Sequence, residues 1–173
     1  KTAEKGKSNF VGPEIEGKKL GVIGLGAIGV LVANAANKLG MEVYGYDPFM
    51  SVNSAWALSK HVRKAKDMDE IFKTCDYITV HVPSTKDTKG MLNKEKFALM
   101  KDGARLLNFA RGDLVVNEDL LEAVETGKLS KYITDFAAQE FIGKDNIIVL
   151  PHLGASTPES EDNCARMAVQ ELK

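Results

Sequence analysis

The fold of this chain is decided by the stretch Leu20-Gly21-Val22-Ile23-Gly24-Leu25-Gly26-Ala27-Ile28-Gly29, in which an apolar run passes directly into a glycine-rich turn. Residues 20–24 have the length and the glycine flank of a buried strand. Residues 27–39 have the character of a helix, which Gly40 then ends. The pattern Gly-x-Gly-x-x-Gly therefore lies between a strand and a helix. This context distinguishes a dinucleotide-binding turn from a common glycine-rich loop.

Each glycine of this turn has a physical task. Gly24 permits the tight turn, Gly26 lets the backbone approach a pyrophosphate, and Gly29 allows the helix to lie close to the sheet. The helix begins with Ala27 and Ile28. Its N-terminus offers unpaired N–H groups and the positive end of the helix dipole to phosphates. The turn therefore predicts a site for the phosphates of a dinucleotide.

An acidic residue follows at the spacing that a dinucleotide site requires. Asp47 closes the second predicted strand, 42–46, roughly 20 residues after the glycine turn, which is where an acid meets the adenosine ribose. A carboxylate there accepts hydrogen bonds from both ribose hydroxyls and repels a 2′-phosphate, so NAD is favoured over NADP. The competing interpretations are a tight turn with an exposed aspartate, or a site for a flavin or an S-adenosyl ligand.

Outward from this unit, strands and helices continue to alternate, which is typical of a parallel α/β sheet. Further strands are predicted at 61–63, 77–82, 104–109, 132–135 and 147–150. Further helices are predicted at 55–60 behind Ser54 as the N-cap, at 69–74, at 94–100 behind Asn93, and at 118–126 behind Asn117. We therefore expect one doubly wound Rossmann domain over residues 1–173, with residues 1–16 as an N-terminal arm and residues 157–173 as a C-terminal helix.

Composition excludes several other classes of protein. The chain is 44% hydrophobic and 27% charged with a net charge of −1, which is ordinary for a globular domain. We find no cluster of Lys and Arg that would bind nucleic acid, and no apolar run long enough to cross a membrane. Cys75 and Cys164 have no metal-ligand spacing. We therefore expect reduced thiols, no metal, and a cytoplasmic location.

Three residues in the second half are candidates for chemistry on a hydroxy acid. Arg111 follows a predicted strand, and its guanidinium can grip a carboxylate with two hydrogen bonds. His152 also follows a strand, and imidazole is the natural proton carrier near neutral pH. Glu140 lies in the loop between two strands and could pair with His152, which would favour the imidazolium and orient it. Taken alone, Arg111 would by default be a surface arginine in a turn, Glu140 is more often a solvated loop residue, and a histidine such as His152 is more often non-functional.

Four motifs occur in order along the chain: Gly24–Gly29, His81-Val82-Pro83, Ala110-Arg111-Gly112 and Pro151-His152-Leu153-Gly154-Ala155-Ser156-Thr157. With this set, the chain resembles the D-isomer-specific 2-hydroxyacid dehydrogenases from about Gly17 onward. The last motif is most similar to that of the members that act on 3-phosphoglycerate. The resemblance implies hydride transfer between NAD and a small 2-hydroxy acid. The favoured reaction is oxidation of 3-phosphoglycerate to 3-phosphohydroxypyruvate, which leads into serine biosynthesis.

The resemblance also implies a role for single residues. Arg111 would bind the substrate, His152 would be the catalytic acid/base, and Glu140 would be its carboxylate partner, although the link between the last two is shorter than in many members. Asp47 would bind the adenosine ribose, and Asp135 would meet the nicotinamide carboxamide. The residues implied to line the cofactor site are Gly24, Gly26, Ala27, Ile28, Gly29, Asp47, Val82, Pro83, Ala110, Arg111, Asp135, His152 and Gly154.

Members of this family carry a second, substrate-binding domain. We therefore expect this chain to be the cofactor-binding domain of a longer enzyme, able to bind NAD but nearly inactive alone. A homodimer is implied, with the stretches 8–15 and 120–124 as candidate contributors to its interface. The alternatives are a reductase of glyoxylate or lactate, a non-catalytic NAD(H)-sensing regulator of the same fold, and an adenosylhomocysteinase-like hydrolase, against which the pair of Arg111 and His152 argues.

Overall fold

The computed structural model describes residue 6 and residues 11–154 and 156–172. Seven parallel strands form one sheet in the order β3-β2-β1-β4-β5-β6-β7. The strands are β1 (Lys19–Ile23), β2 (Glu42–Tyr46), β3 (Arg63–Lys64), β4 (Tyr77–Val80), β5 (Ala104–Asn108), β6 (Leu129–Thr134) and β7 (Ile147–Val149). The helices are α1 (Ala27–Lys38), α2 (Val52–Ala57), α3 (Met68–Thr74), α4 (Lys94–Leu99), α5 (Asn117–Glu125) and α6 (Pro158–Glu171). The predicted doubly wound α/β sheet is confirmed.

The sheet reverses its direction of growth at β1, which pairs with β2 on one side and with β4 on the other. Side chains alternate between the two faces of a strand, so helices cover both faces of the sheet. One apolar cluster packs β1 and β2 against α1. A larger cluster on the other face packs the sheet against α3, α4 and α5. Open α/β sheets bind ligands at the carboxyl ends of their strands, where the order reverses.

Two helices differ from the sequence prediction in their N-cap residue. Helix α2 begins one turn earlier than predicted, because Ser51 rather than Ser54 is its N-cap and accepts a hydrogen bond from the Ser54 amide at 3.1 Å. At α5 the N-cap is Val116, and Asn117 is the first helical residue. The Asn117 side chain donates to Glu140 at 2.8 Å, so it leaves the helix end uncapped. The N-caps Asp67, Asn93 and Thr157 each accept a hydrogen bond from an amide of their helix.

The last helix, α6, makes no contribution to the core. None of its described residues is buried. The predicted interface stretch 120–124 contributes Leu120, Ala123 and Val124 to the domain's own core, so these side chains cannot also form a surface. Of the predicted stretch 8–15, residues 8–10 lie outside the described residues. No helix in the described parts of the chain has both the length and the apolarity needed to cross a membrane.

Candidate functional site

The glycine turn lies between β1 and α1 at the carboxyl edge of the sheet. Gly24 has φ +92°, and a Cβ there would come within 2.7 Å of the His81 carbonyl oxygen. A Cβ on Gly29 would lie 1.9 Å from the carbonyl oxygen of Gly24, because the first turn of α1 packs directly on the turn. Gly26 is exposed and faces open space. The first and third glycines are thus required by packing, and the middle one leaves room for a ligand.

Asp47 joins the end of β2 to the glycine turn. Its Oδ2 accepts a hydrogen bond from the Leu25 amide at 2.8 Å, and its Oδ1 accepts one from the Phe49 amide at 2.8 Å. Each carboxylate oxygen has a further lone pair, so the group retains acceptor capacity for ribose hydroxyls. The carboxylate is therefore fixed beside the exposed start of α1.

A cleft of about 520 Å³ opens between the glycine turn, the Asp47 loop and the segment that follows β4. Its lining is mainly apolar and includes Phe49, Met68 and Met91, together with the predicted contacts Val82 and Pro83. Apolar walls suit a planar base, the carboxylate suits a ribose, and the open face at Gly26 suits a pyrophosphate. These residues fit the adenosine half of a dinucleotide.

His81 lines the same cleft, although no role for its side chain is predicted from the sequence. Its Nε2 is 3.0 Å from the Thr79 hydroxyl, and burial lowers the pKa of His81 below its usual value. Its backbone amide donates to the Ile23 carbonyl at 2.7 Å, which aligns the start of this wall with the glycine turn. The signal in the sequence is a histidine that follows an apolar strand and precedes a proline.

The wall of the cleft continues as a segment tied to the loop after β5. The Thr88 hydroxyl donates to the Pro83 carbonyl at 2.6 Å, and the Ser84 hydroxyl donates to Asp113 at 2.6 Å. The Gly90 amide in turn donates to the backbone carbonyl of Asp113 at 2.9 Å. The cleft wall is thus connected to the turn that carries the candidate substrate arginine.

Arg111 lies where the sequence predicts it, directly after β5, with an exposed side chain. The turn that carries it rests on Asn108, which is fully buried. The Asn108 Nδ2 donates to the Arg111 carbonyl at 2.9 Å, and its Oδ1 accepts from the Ala110 amide at 3.2 Å. The buried asparagine therefore fixes the backbone. The exposed guanidinium donates from Nη1 to the Ala110 carbonyl and keeps its other N–H groups available for a ligand.

His152 lies beyond β7 and pairs with Asp135 at the end of β6. The distance from Nδ1 of His152 to Oδ2 of Asp135 is 2.9 Å. The other oxygen, Oδ1 of Asp135, is buried without a hydrogen-bond partner among the described residues. A buried acceptor of this kind calls for a donor from elsewhere, and a carboxamide NH₂ of a nicotinamide fits that requirement.

Phe136 brings the arginine turn and the histidine together. Its ring lies 5.2 Å from the His152 ring between centroids. On its other side it packs on Gly112, where an added Cβ would lie 3.2 Å from the Phe136 Cβ. The turn that carries Arg111 and the pair of Asp135 and His152 thus lie in neighbouring loops, with Phe136 in contact with both. Gly154, two residues beyond the histidine, is exposed with φ +56°.

Glu140 does not contact His152 in this structure. It lies in a short 3₁₀ turn, Gln139–Phe141, and its carboxylate accepts from Asn117 at 2.8 Å. Hydrogen bonds from its own backbone amide and from Asn117 lower the pKa of Glu140. The predicted partner of His152 is therefore replaced by Asp135 in this conformation.

Across the described residues, no group of His, Cys, Asp or Glu lies close enough together to form a metal site.

Comparisons with known proteins find relatives over most of this chain. The family model for the D-isomer specific 2-hydroxyacid dehydrogenase, NAD binding domain, matches residues 1–154. The chain is 39% identical over 178 residues to D-3-phosphoglycerate dehydrogenase of Bacillus subtilis, covering 99% of this chain and 33% of that protein. It is 38% identical over 173 residues to D-3-phosphoglycerate dehydrogenase of a Synechocystis species, covering 96% of this chain and 31% of that protein.

A solved structure of a 3-phosphoglycerate dehydrogenase has the same fold as this chain. Cofactor (NAD+)-bound 3-phosphoglycerate dehydrogenase of Entamoeba histolytica superposes with a TM-score of 0.80 at 30% identity, covering 94% of this chain and 52% of that one. The chain therefore spans about a third of the length of these curated relatives and about half of this structural neighbour.

Proposed function

Because the chain belongs to the D-isomer-specific 2-hydroxyacid dehydrogenases, as their NAD-binding domain, we propose that it binds the cofactor for an enzyme that oxidises a 2-hydroxy acid. The substrate that we propose is 3-phosphoglycerate, oxidised to 3-phosphohydroxypyruvate. The curated relatives at 38–39% identity, which carry that activity in their names, support this substrate. The observation that carries the proposal is that His152 pairs with Asp135 in a loop that contacts the Arg111 turn through Phe136, at the edge of the sheet that also holds the glycine turn.

We propose that cofactor binding uses two parts of the site. The start of α1 and Asp47 bind the pyrophosphate and the adenosine ribose, and the apolar cleft takes the adenine. At the other end, Asp135 and the turn at Ala110 and Arg111 bind the nicotinamide half. When bound, NAD supplies the hydride acceptor for the reaction.

The chemical step that we propose joins two transfers: the C2 atom of the substrate loses a hydride to NAD, and the C2 hydroxyl loses a proton to the protein. Arg111 binds the carboxylate of the 2-hydroxy acid and orients its C2. His152 accepts the proton of the C2 hydroxyl at Nε2, because its Nδ1 already faces Asp135. The negative charge of Asp135 then stabilises the imidazolium that forms. In the reverse direction, the same imidazolium returns the proton to the carbonyl oxygen.

Asp135 and Glu140 offer a matched pair of variants to identify the carboxylate that supports His152. In the polypeptide that carries this domain, we expect Asp135→Asn to lower kcat/KM by roughly 10²–10⁴-fold, the range of general acid–base catalysis, and to shift its pH profile. Glu140→Gln should change kcat/KM by less and keep the profile. The opposite ranking would restore the pairing that the family resemblance implies and refute the pairing with Asp135.

Cofactor binding is tested first, on this chain itself. Isothermal calorimetry should show NAD binding, weak or undetectable NADP binding, and loss of NAD affinity in Asp47→Ala. Preference for NADP would refute the role of Asp47, and binding of neither nucleotide would refute the proposed function. Activity with 3-phosphoglycerate is then compared with glyoxylate and lactate. A regulator would bind NAD and oxidise none of them.

We propose three further features of the protein. We propose that residues 157–173, whose helix has no buried side chain, leave the dinucleotide-binding domain toward a substrate-binding part. We also propose a homodimer and a cytoplasmic location. Size-exclusion chromatography with light scattering tests the first of these two, and a fluorescent fusion tests the second.

A further inference from the structure

The buried polar side chains of this domain follow a regular pattern. Among the described residues, Thr79, Asn108 and Thr134 are the polar side chains that lie inside the core. Each lies at or near the carboxyl end of its strand, β4, β5 or β6, and each contacts a residue two positions later. The contacts are Thr79 with His81 at 3.0 Å, Asn108 with Ala110 at 3.2 Å, and Thr134 with Phe136 at 3.1 Å.

Asn108 and Thr134 are direct neighbours across the pairing of β5 and β6. Both are fully inaccessible to solvent. Asn108 fixes the turn that carries Arg111, and the Thr134 hydroxyl accepts from the amide of Phe136, the residue after Asp135. The two loops that carry candidate site residues therefore rest on adjacent buried polar groups.

Tyr132 lies beside these two groups and is hydrogen-bonded to the first of them. Its side chain is almost completely buried, and its hydroxyl oxygen accepts from the Asn108 Nδ2 at 3.3 Å. Burial raises the pKa of Tyr132, and hydrogen bonding with Thr134 and Asn108 opposes that rise. Because Asn108 uses the phenol oxygen as an acceptor, the phenol proton remains available for a second partner. The hydroxyl thus contacts the support of the Arg111 turn directly, and it lies on the same strand as Thr134, two residues before it.

We propose that Tyr132 is a positioning residue for the nicotinamide end of the site. With Asn108 and Thr134 it forms a buried network, here called the carboxyl-edge network, that sets the Arg111 turn relative to Asp135. Buried polar networks whose members are all satisfied rigidify the structure around them, which suits loops that must hold a ligand in one geometry. The inference rests on the proposed function, which places the nicotinamide at these loops and the adenosine at the glycine turn.

The test separates the two ends of the site by comparing NAD with ADP-ribose, which has the same adenosine and pyrophosphate but no nicotinamide. Tyr132→Phe removes one oxygen and keeps the ring, whose centroid is 5.9 Å from that of Phe141. We expect the dissociation constant for NAD to rise roughly three- to tenfold, the effect of losing one or two buried hydrogen bonds. The dissociation constant for ADP-ribose should stay within about twofold, since the adenosine contacts are untouched.

A second pair of variants distinguishes a selective effect on NAD binding from a general loss of stability. Thr134→Val removes a hydroxyl of the network and should also weaken NAD selectively. Thr79→Val makes the same change at the end of β4, on the adenosine side, and should alter NAD and ADP-ribose binding by the same factor or leave both unchanged.

Three outcomes overturn the inference: equal weakening of both ligands by Tyr132→Phe and Thr134→Val, no weakening by either variant, or a wild-type chain that binds the two ligands equally well. Failure of the wild-type chain to bind ADP-ribose and NAD would instead refute the proposed function.

Discussion

Alanine at Gly29 should lower the stability of the domain. Alanine at Gly26 should leave stability nearly unchanged and weaken NAD binding instead, although the two glycines belong to one motif. At Gly29 an added Cβ would lie 1.9 Å from the Gly24 carbonyl oxygen, whereas ordinary contacts begin near 3.4 Å. The obstructing atom is backbone and cannot rotate away, so α1 must move by roughly 1.5 Å. An overlap with rigid backbone belongs in the upper part of the overpacking range, about 2–3 kcal/mol, and alanine's better helix propensity returns about 1 kcal/mol.

For a domain of this size, each kcal/mol corresponds to about 2–4 °C in melting temperature. A net loss of about 1–2 kcal/mol in Gly29→Ala therefore predicts a melting temperature lower by roughly 2–8 °C. Gly26 differs, because its φ of −76° is accessible to alanine and nothing lies within 4 Å of the added Cβ. Its lost N-cap preference is offset by a smaller unfolded-state entropy, so the melting temperature should stay within about 2 °C.

Ligand binding should separate the two variants further. The Gly26→Ala methyl group occupies the surface that a pyrophosphate approaches, so NAD affinity should fall by about tenfold or more, equivalent to at least 1.4 kcal/mol. Thermal melts followed by circular dichroism and calorimetry with NAD measure both quantities. Gly12→Ala is the matched control, since that glycine also faces open space but lies far from the turn along the chain. Wild-type NAD affinity in Gly26→Ala, or a wild-type melting temperature in Gly29→Ala, would refute the reasoning.

Three further predictions follow from single groups. Asp47→Ala should weaken NAD more than it weakens nicotinamide mononucleotide, which lacks the adenosine ribose; equal weakening in calorimetric titrations would contradict the assignment. Because burial lowers the pKa of His81 below its usual 6.5, the unfolded chain takes up the proton first, so stability falls as the pH drops from about 6.5 toward the folded-state pKa. Melting curves from pH 8 to 5 should therefore fall less steeply for His81→Gln, and parallel curves would exclude this linkage. Burial raises the pKa of Cys75 to about 12 while Cys164 is exposed, so iodoacetamide at pH 8 should modify only Cys164 until the chain is denatured, as mass spectrometry can check.

Local patterns were enough to predict most of the architecture. The strand–turn–helix unit at 20–39 combines a short apolar run, three glycines and helical periodicity, and these signals are all contained within neighbouring residues. The bounds of β2 agree with the prediction. The start of α2 was predicted wrongly. Ser51 and Ser54 can each cap a helix, and the sequence pattern alone cannot decide between them.

The partner of His152 could not be predicted in the same way. Whether Asp135 or Glu140 meets the imidazole depends on the path of residues 136–150, which brings β7 back beside β6. Sequence spacing carries no such information. The carboxyl-edge network could not be predicted either, because a tyrosine within a predicted strand has the pattern of an ordinary core residue. The available signal was polar residues at the ends of otherwise apolar strands.

The hydrogen bond from the Leu25 amide to Asp47 has a consequence for protein engineering. A carboxylate at this position is usually regarded only as a filter that rejects a 2′-phosphate, and replacing it is the obvious route to an NADP-dependent variant. Here the same side chain also accepts from the amides of Leu25 and Phe49. An apolar replacement would leave the Leu25 and Phe49 amides without their carboxylate acceptor, and the loop would be less firmly held before any nucleotide binds. A successful redesign must therefore supply new acceptors for these two amides, with serine or asparagine as the first choices, alongside any new cation for the phosphate.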